Sequence, residues 1–221
     1  MSNESLPEQS GDDRRQKWPK ALFSRFDESD DRDFYQMPRL VLHVDPETAA
    51  ALTAVYRDCL QPDSRVLDLM SSWVSHLPED LSLSEVAGLG MNAVELAANP
   101  RLDRYEVQDL NTTPTLPFAD ATFDAVLNAF SVQYLTRPDE VFAEAARVLA
   151  PGGLHLIAIS HRCFPTKAVA AHRDFPLADR LRLLSACLAQ AGALWGDIRT
   201  LDRSPAGAAP LHVMVAQRAA C

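Results

Sequence analysis

From Arg65 onward the chain alternates short apolar runs with stretches whose apolar positions recur at helical spacing. RVLDL (Arg65–Leu69) and EVAGL (Glu85–Leu89) are bounded by polar and turn residues and predict buried strands. RYEVQ (Arg104–Gln108) predicts a third strand and FDAVLN (Phe123–Asn128) a fourth. In PDEVFAEAARVL (Pro138–Leu149), Val141, Phe142, Ala145, Val148 and Leu149 share one helical face. Pro151-Gly152-Gly153 then predicts a turn into a fifth strand, LHLIAIS. Helical stretches are expected over Asn92–Ala98 and Leu177–Ala191, and late strands over Leu194–Leu201 and Leu211–Gln217, with the turn-rich SPAGAAP between the last two. An earlier helix starts at Asp45-Pro46-Glu47, an acid at the cap followed by proline in the first turn. Strands separated by helices call for a parallel arrangement. The expected fold class is α/β: a doubly wound, mainly parallel sheet with a C-terminal antiparallel edge hairpin.

Ahead of this pattern the chain changes character. Residues 1–16 are charged and poor in apolar side chains, which predicts a disordered tail. Residues 17–44 set Trp18, Phe23, Phe26, Phe34 and Tyr35 among charges and predict an arm or lid over a domain spanning 45–217. A chain of 221 residues, 47% of them hydrophobic, suits one such domain with a sizeable core. The net charge of −9, with Lys and Arg scattered, argues against a nucleic-acid partner, which would need a basic surface. No apolar run resembles a signal peptide or reaches membrane-spanning length, so no membrane association and a cytoplasmic location are expected. Cys59, Cys163, Cys187 and Cys221 show no paired spacing, and no metal site is expected. Nothing in the pattern fixes the oligomeric state.

Three stretches carry a resemblance: VLDL (66–69), QDLNTTPTLPFADATFDAVLNAFSVQYL (108–135) and RVLAPGGLHLIAIS (147–160). Together they resemble a class I S-adenosylmethionine-dependent methyltransferase, and more narrowly the small-molecule, type 11-like group that carries LPF, FD and RVLxPGG in order. The resemblance covers roughly Asp45 to Gln217 and is most specific over Leu116–Gly153. It implies a Rossmann-like domain, S-adenosylmethionine as cofactor and a small-molecule methyl acceptor.

The resemblance also assigns cofactor positions. After the first strand the family carries an acid and a glycine loop, because the backbone must approach the ligand without a Cβ in the way. Here Asp68 keeps the acid, while Met70, Ser72 and Val74 stand at the glycine positions, with Ser71 and the bulky Trp73 between them. At the end of the second strand the ribose acid aligns with Gly90, followed by Met91 and Asn92. Asp109 stands where the family places an acid for the adenine amine, with the Leu110 amide beside it, and Asn128 would lie near the sulfonium. Ser71, Ser72 and Asn92 are the expected substitutes for the lost contacts. Trp73 decides between two outcomes: it plugs the pocket, or it turns away and leaves it open. Pro78 ends any helix after the loop within a few residues.

Methyl transfer mostly requires positioning, and a general base only for a hydroxyl or a protonated amine. His161 follows the fifth strand, His76 lies just beyond the altered loop, and Tyr134 ends the fourth-strand loop; these are the catalytic candidates. His43 belongs to the arm, and His155 and His212 are expected to be sheet residues. Arg162 and Lys167 could attract an anionic substrate but are expected rather to solvate the surface. Two alternatives stay open beside a methyltransferase: a binding or scaffold protein that kept the fold, and a domain for another adenine-containing ligand.

Overall fold

The computed structural model describes residues 19–192 and 194–220. The expected tail of residues 1–16 and Trp18 lie outside them. Seven strands form one sheet: β1 (Arg65–Leu69), β2 (Glu85–Gly90), β3 (Arg104–Val107), β4 (Phe123–Ala129), β5 (Leu149–Ile159), β6 (Trp195–Asp202) and β7 (His212–Arg218). Their order is β3-β2-β1-β4-β5-β7-β6. The first five run parallel, whereas β7 pairs antiparallel with both β5 and β6. This is the doubly wound α/β sheet with its C-terminal edge hairpin. The helices are α1 (Asp31–Tyr35), α2 (Pro46–Cys59), α3 (Ala93–Ala98), α4 (Pro138–Val148), α5 (Ala170–Asp174) and α6 (Leu177–Gln190).

Alternation along the strands splits the core into two layers. Leu67, Leu69, Val126, Ile157 and Ile159 face α4 and α6, meeting Val141, Phe142, Ala145 and Leu188. Val66, Leu127, Leu156 and Ala158 face the other way, toward Leu52, Val55 and Tyr56 of α2. Because the central strands are buried on both faces, they read as continuous apolar runs, which is why the sequence pattern located them. Chain order reverses between β1 and β4, so a crevice opens beyond the carboxyl ends of those strands, the usual ligand position in such sheets.

Two local expectations need correction. The Pro151-Gly152-Gly153 segment does not end one element and begin another: β5 runs through it from Leu149. The register slips there, from Phe123↔Leu149 to Ala125↔Leu154, and Gly152 supplies the required positive φ of 79°. Asp45 precedes α2 as expected, but its carboxylate does not cap the helix. It accepts instead from the Arg162 guanidinium and from the Ala209 backbone N–H, tying the β5 exit to the β6–β7 loop. Residues 70–84 contain no helix at all, so β1 reaches β2 through irregular chain.

The described residues ahead of α2 pack onto the segment that follows β5. A 3₁₀ turn (Lys20–Phe23) and α1 are anchored by Asp27 N–H to the Thr166 carbonyl and Ala170 N–H to the Ser24 carbonyl. Lys167, expected at the surface, is fully buried; its ammonium lies 3.2 Å from Asp27 and 3.1 Å from Asp31 and donates to the Ser29 carbonyl. Asp31 is itself buried and also takes two 2.7 Å bonds from Arg25 and one from the Asn111 side chain. A buried ammonium requires such partners, so Lys167 is the clasp that holds the arm.

Candidate functional site

The loop after β1 has an unusual path with identifiable causes. Met70 takes a left-handed backbone, φ 58°, normally favoured by glycine. Ser71 N–H then donates to the Leu89 carbonyl at 2.8 Å, drawing the loop across the end of β2. The Ser71 carbonyl comes so close that a Cβ built on Gly90 would stand 2.3 Å from its oxygen. Glycine at 90 is therefore imposed by the loop that overlies it.

Hydrogen bonds made by serines hold the loop. Ser71 Oγ donates to Asp68 Oδ2 at 2.6 Å, and Ser72 Oγ to Glu95 Oε2 at 2.5 Å. Asn99 donates to the Ser72 carbonyl and to Ser75 Oγ, both at 2.9 Å. These hydroxyls fix the loop internally, a different use from the expected replacement of ligand-facing glycine amides. Trp73 turns outward, and its indole N–H donates to the Val41 carbonyl of the arm at 3.0 Å. The indole does not line the crevice, which stays open.

The resulting cavity has a volume of about 470 Å³, within the range of small-molecule sites. Its floor brings together Asp68, Met70, Ser71, Ser72, Gly90, Met91, Asn92, Asp109 and Leu110. The arm forms its roof with Asp31, Tyr35, Arg39 and His43. Asn92 joins floor to roof: its Oδ1 caps α3 through the Val94 and Glu95 amides, and its Nδ2 donates to the Tyr35 carbonyl. The far wall carries His76, Phe130, Tyr134, His161 and Phe164, with the Tyr134 and Phe164 rings stacked 5.9 Å apart.

Electrostatics sort the titratable groups. Asp68 is 2% exposed, and burial pushes its carboxyl up to about 6 despite hydrogen bonds from Ser71 and Ser75. Burial pushes His76 down to about 4, with His43 adding a smaller push, so the ring is neutral at pH 7 and a weak base. Burial raises the Tyr134 hydroxyl to about 12, and its oxygen accepts from the Phe164 N–H, leaving its proton free to donate. His161 is exposed at the rim.

Of the sequence candidates, Asn128 is the one the structure leaves out of the cavity. It is fully buried in β4, donates to the Leu69 carbonyl and Ser131 Oγ, and meets His155 Nε2 at 2.8 Å. His155 is a sheet residue as expected, stacked on Trp195. Among the described residues no cluster of three His, Cys, Asp or Glu could hold a metal. Asp109 is half-buried, and its carboxylate accepts from the Asn111 N–H and Thr112 Oγ1, which aims it at the cavity edge. The sequence reading missed Glu95 and Arg39. Glu95 on α3 is 8% exposed yet lines the cavity, and its Oε1 accepts from the Arg39 N–H at 2.7 Å. A lone acid in AVELAA gives no sequence signal; only the fold of the arm onto α3 exposes its position.

A family model described as a methyltransferase domain matches residues 73–157, which run from the altered loop into β5. Over these residues the chain is similar to class I S-adenosylmethionine-dependent methyltransferases. Among curated methyltransferases, the demethylmenaquinone methyltransferase of Renibacterium salmoninarum is 36% identical over 109 residues, 47% of this chain and 44% of the relative. The ubiquinone/menaquinone biosynthesis C-methyltransferase of Roseobacter denitrificans is 44% identical over 59 residues, 27% of this chain and 23% of the relative. The chain thus spans less than half the length of these relatives. A solved S-adenosylmethionine-dependent methyltransferase from Mesorhizobium loti shares the fold with a TM-score of 0.55 at 17% identity, over 76% of this chain and 98% of that one. The [4+2]-cyclase SpnF shares it with a TM-score of 0.59 at 18% identity, over 77% and 81%. Among the described residues no helix is long and apolar enough to cross a membrane.

Proposed function

We propose that the chain is an active S-adenosylmethionine-dependent methyltransferase acting on a small molecule, and that the cavity between floor and arm holds both cofactor and acceptor. The observation that carries this reading is the outward turn of Trp73, which leaves about 470 Å³ open where a scaffold protein would have filled core. The residues present fit the cofactor. Asp109 and the Leu110 amide would take the adenine edge, and the Asp68–Ser71 pair would face the methionine moiety, with Met70 and Met91 against the apolar parts. When bound, S-adenosylmethionine supplies an electrophilic methyl group on a sulfonium.

The chain's own contribution is to bind, orient and exclude water. The arm roofs the cavity, so water is displaced from the acceptor's side. Phe130, Tyr134, His43 and Phe164 present ring faces and edges, which suits a planar acceptor, and the quinone-pathway methylations named for the curated relatives make ring compounds the first class to try. Tyr134 can donate its proton to an acceptor oxygen. His76, neutral at pH 7, can accept one, and His161 at the rim can pass a proton to solvent.

The test is thermal stabilisation by S-adenosylhomocysteine. Ligand that binds the folded state alone raises the unfolding midpoint by mass action. Wild-type protein should show the rise and Asp109→Ala a much smaller one. An equal rise in both would place the adenine elsewhere.

A further inference from the structure

Resting on the adenosyl reading of the cavity, we infer that Glu95 is the carboxylate that reads the ribose hydroxyls, presented from helix α3 rather than from the end of a strand. The strand-end position cannot serve. Gly90 has no side chain, and the Ser71 carbonyl occupies the space where one would begin, 2.3 Å from an ideal Cβ. An acid cannot be restored there without moving the loop.

Glu95 meets the requirements from another direction. It lines the same cavity as Gly90, Met91 and Asp109, and it is 8% exposed. An acid this buried needs hydrogen-bond partners. Two are supplied from opposite sides, Ser72 Oγ to Oε2 at 2.5 Å and Arg39 N–H to Oε1 at 2.7 Å. Each oxygen thus takes one bond, while an ionised carboxylate offers about four acceptor sites. A vicinal diol brings two donors and fills the remainder.

The two donors also explain why the side chain is aimed as it is. Ser72 belongs to the altered loop and Arg39 to the arm, so the carboxylate is fixed only when both segments are in place. Ligand hydroxyls on Glu95 would therefore be felt by the arm. The serine at residue 72 then has a purpose: its hydroxyl orients Glu95.

The experiment compares S-adenosylhomocysteine with its 2′-deoxy and 3′-deoxy analogues, by calorimetric titration of wild-type protein and of Glu95→Gln. A charge-assisted bond of this class corresponds to about tenfold to a hundredfold in affinity. Wild type should bind the parent ligand that much more tightly than the deoxy analogues, and Glu95→Gln should lose most of the difference. If Glu95→Gln weakens all three ligands equally, Glu95 merely holds the arm and the inference fails, while the cofactor reading stands. If wild type does not distinguish the three ligands, the inference fails without any variant, which covers the case in which Glu95→Gln does not fold. If wild type binds none of them at millimolar concentration, the cofactor reading itself falls and takes this inference with it.

Discussion

The carbonyl oxygen of Ser71 stands where a side chain on residue 90 would begin, 2.3 Å from an ideal Cβ on Gly90. The glycine at that position and the path of the loop above it are thus one feature. A loop pulled over β2 by the Ser71–Leu89 hydrogen bond admits nothing but glycine beneath it. Gly90→Asp, which a reading of the sequence alone suggests as a repair, is expected to do the opposite. Forcing atoms into a packed site costs about 1–3 kcal/mol. Urea denaturation should show Gly90→Asp and Gly90→Ala both destabilised by at least that range, with weakened ligand binding; an Asp variant as stable as wild type would contradict the packing described.

Met70 holds a glycine-like conformation with an ordinary side chain, φ 58°. A left-handed residue with a Cβ carries a penalty of about 1–2 kcal/mol that glycine does not. Met70→Gly should therefore be more stable than Met70→Ala by about 1 kcal/mol, the reverse of the order in ordinary helix or strand. Chemical denaturation of the two variants measures the difference directly, and an alanine variant that is the more stable would exclude strain at this residue.

Asp31 and Lys167 test the clasp on the arm. Removing one partner of a buried ion pair leaves an uncompensated charge and costs about 3–5 kcal/mol. Asp31→Ala leaves the buried Lys167 with Asp27 alone among its acids and deprives Arg25 of its bidentate partner. Limited proteolysis should cut the arm between residues 19 and 44 faster in this variant than in wild type, while the sheet stays protected. Unchanged cleavage would mean that other contacts hold the arm.

Two titrating groups of the site, Asp68 and His76, oppose each other in pH. Burial raises Asp68 from 3.8 to about 6, so between those values the folded chain holds a proton that the unfolded chain has lost. Its contribution to stability falls as pH rises through that window, by on the order of 3 kcal/mol in total. Burial lowers His76 from 6.5 to about 4, so there the unfolded chain holds the extra proton and stability rises with pH over nearly the same window. Denaturation from pH 4 to 7 should show Asp68→Asn gaining a steeper rise with pH than wild type, and His76→Asn a shallower one. Shifts of the same sign in both variants would contradict the assigned causes.

The strands and the reversal between β1 and β4 were legible because a strand buried on both faces leaves an uninterrupted apolar run such as VLDL or FDAVLN. Most of the cavity floor was legible too, since Asp68, Gly90 and Asp109 fall at strand ends whose positions the pattern fixes. What the sequence hid depends on contacts between distant segments. Trp73 turns outward because Val41, 32 residues earlier, offers it a carbonyl. Lys167 looks like a surface residue until the arm delivers Asp27 and Asp31 to it. Glu95 reads as an ordinary polar position on a short helix until Ser72 and Arg39 close on it. Asn128 misled in the opposite sense: its strand-end position suggested a ligand contact, and the buried His155 claims its side chain instead.

The central claim is that this cavity binds an adenosyl cofactor despite its altered loop. Isothermal titration of the purified wild-type protein with S-adenosylmethionine tests it most directly. One-to-one binding, weakened by Asp109→Ala, is the result expected of an open pocket floored by Asp68 and Asp109 and roofed by the arm. No heat of binding up to millimolar ligand would contradict the account and leave a methyltransferase fold that serves another purpose.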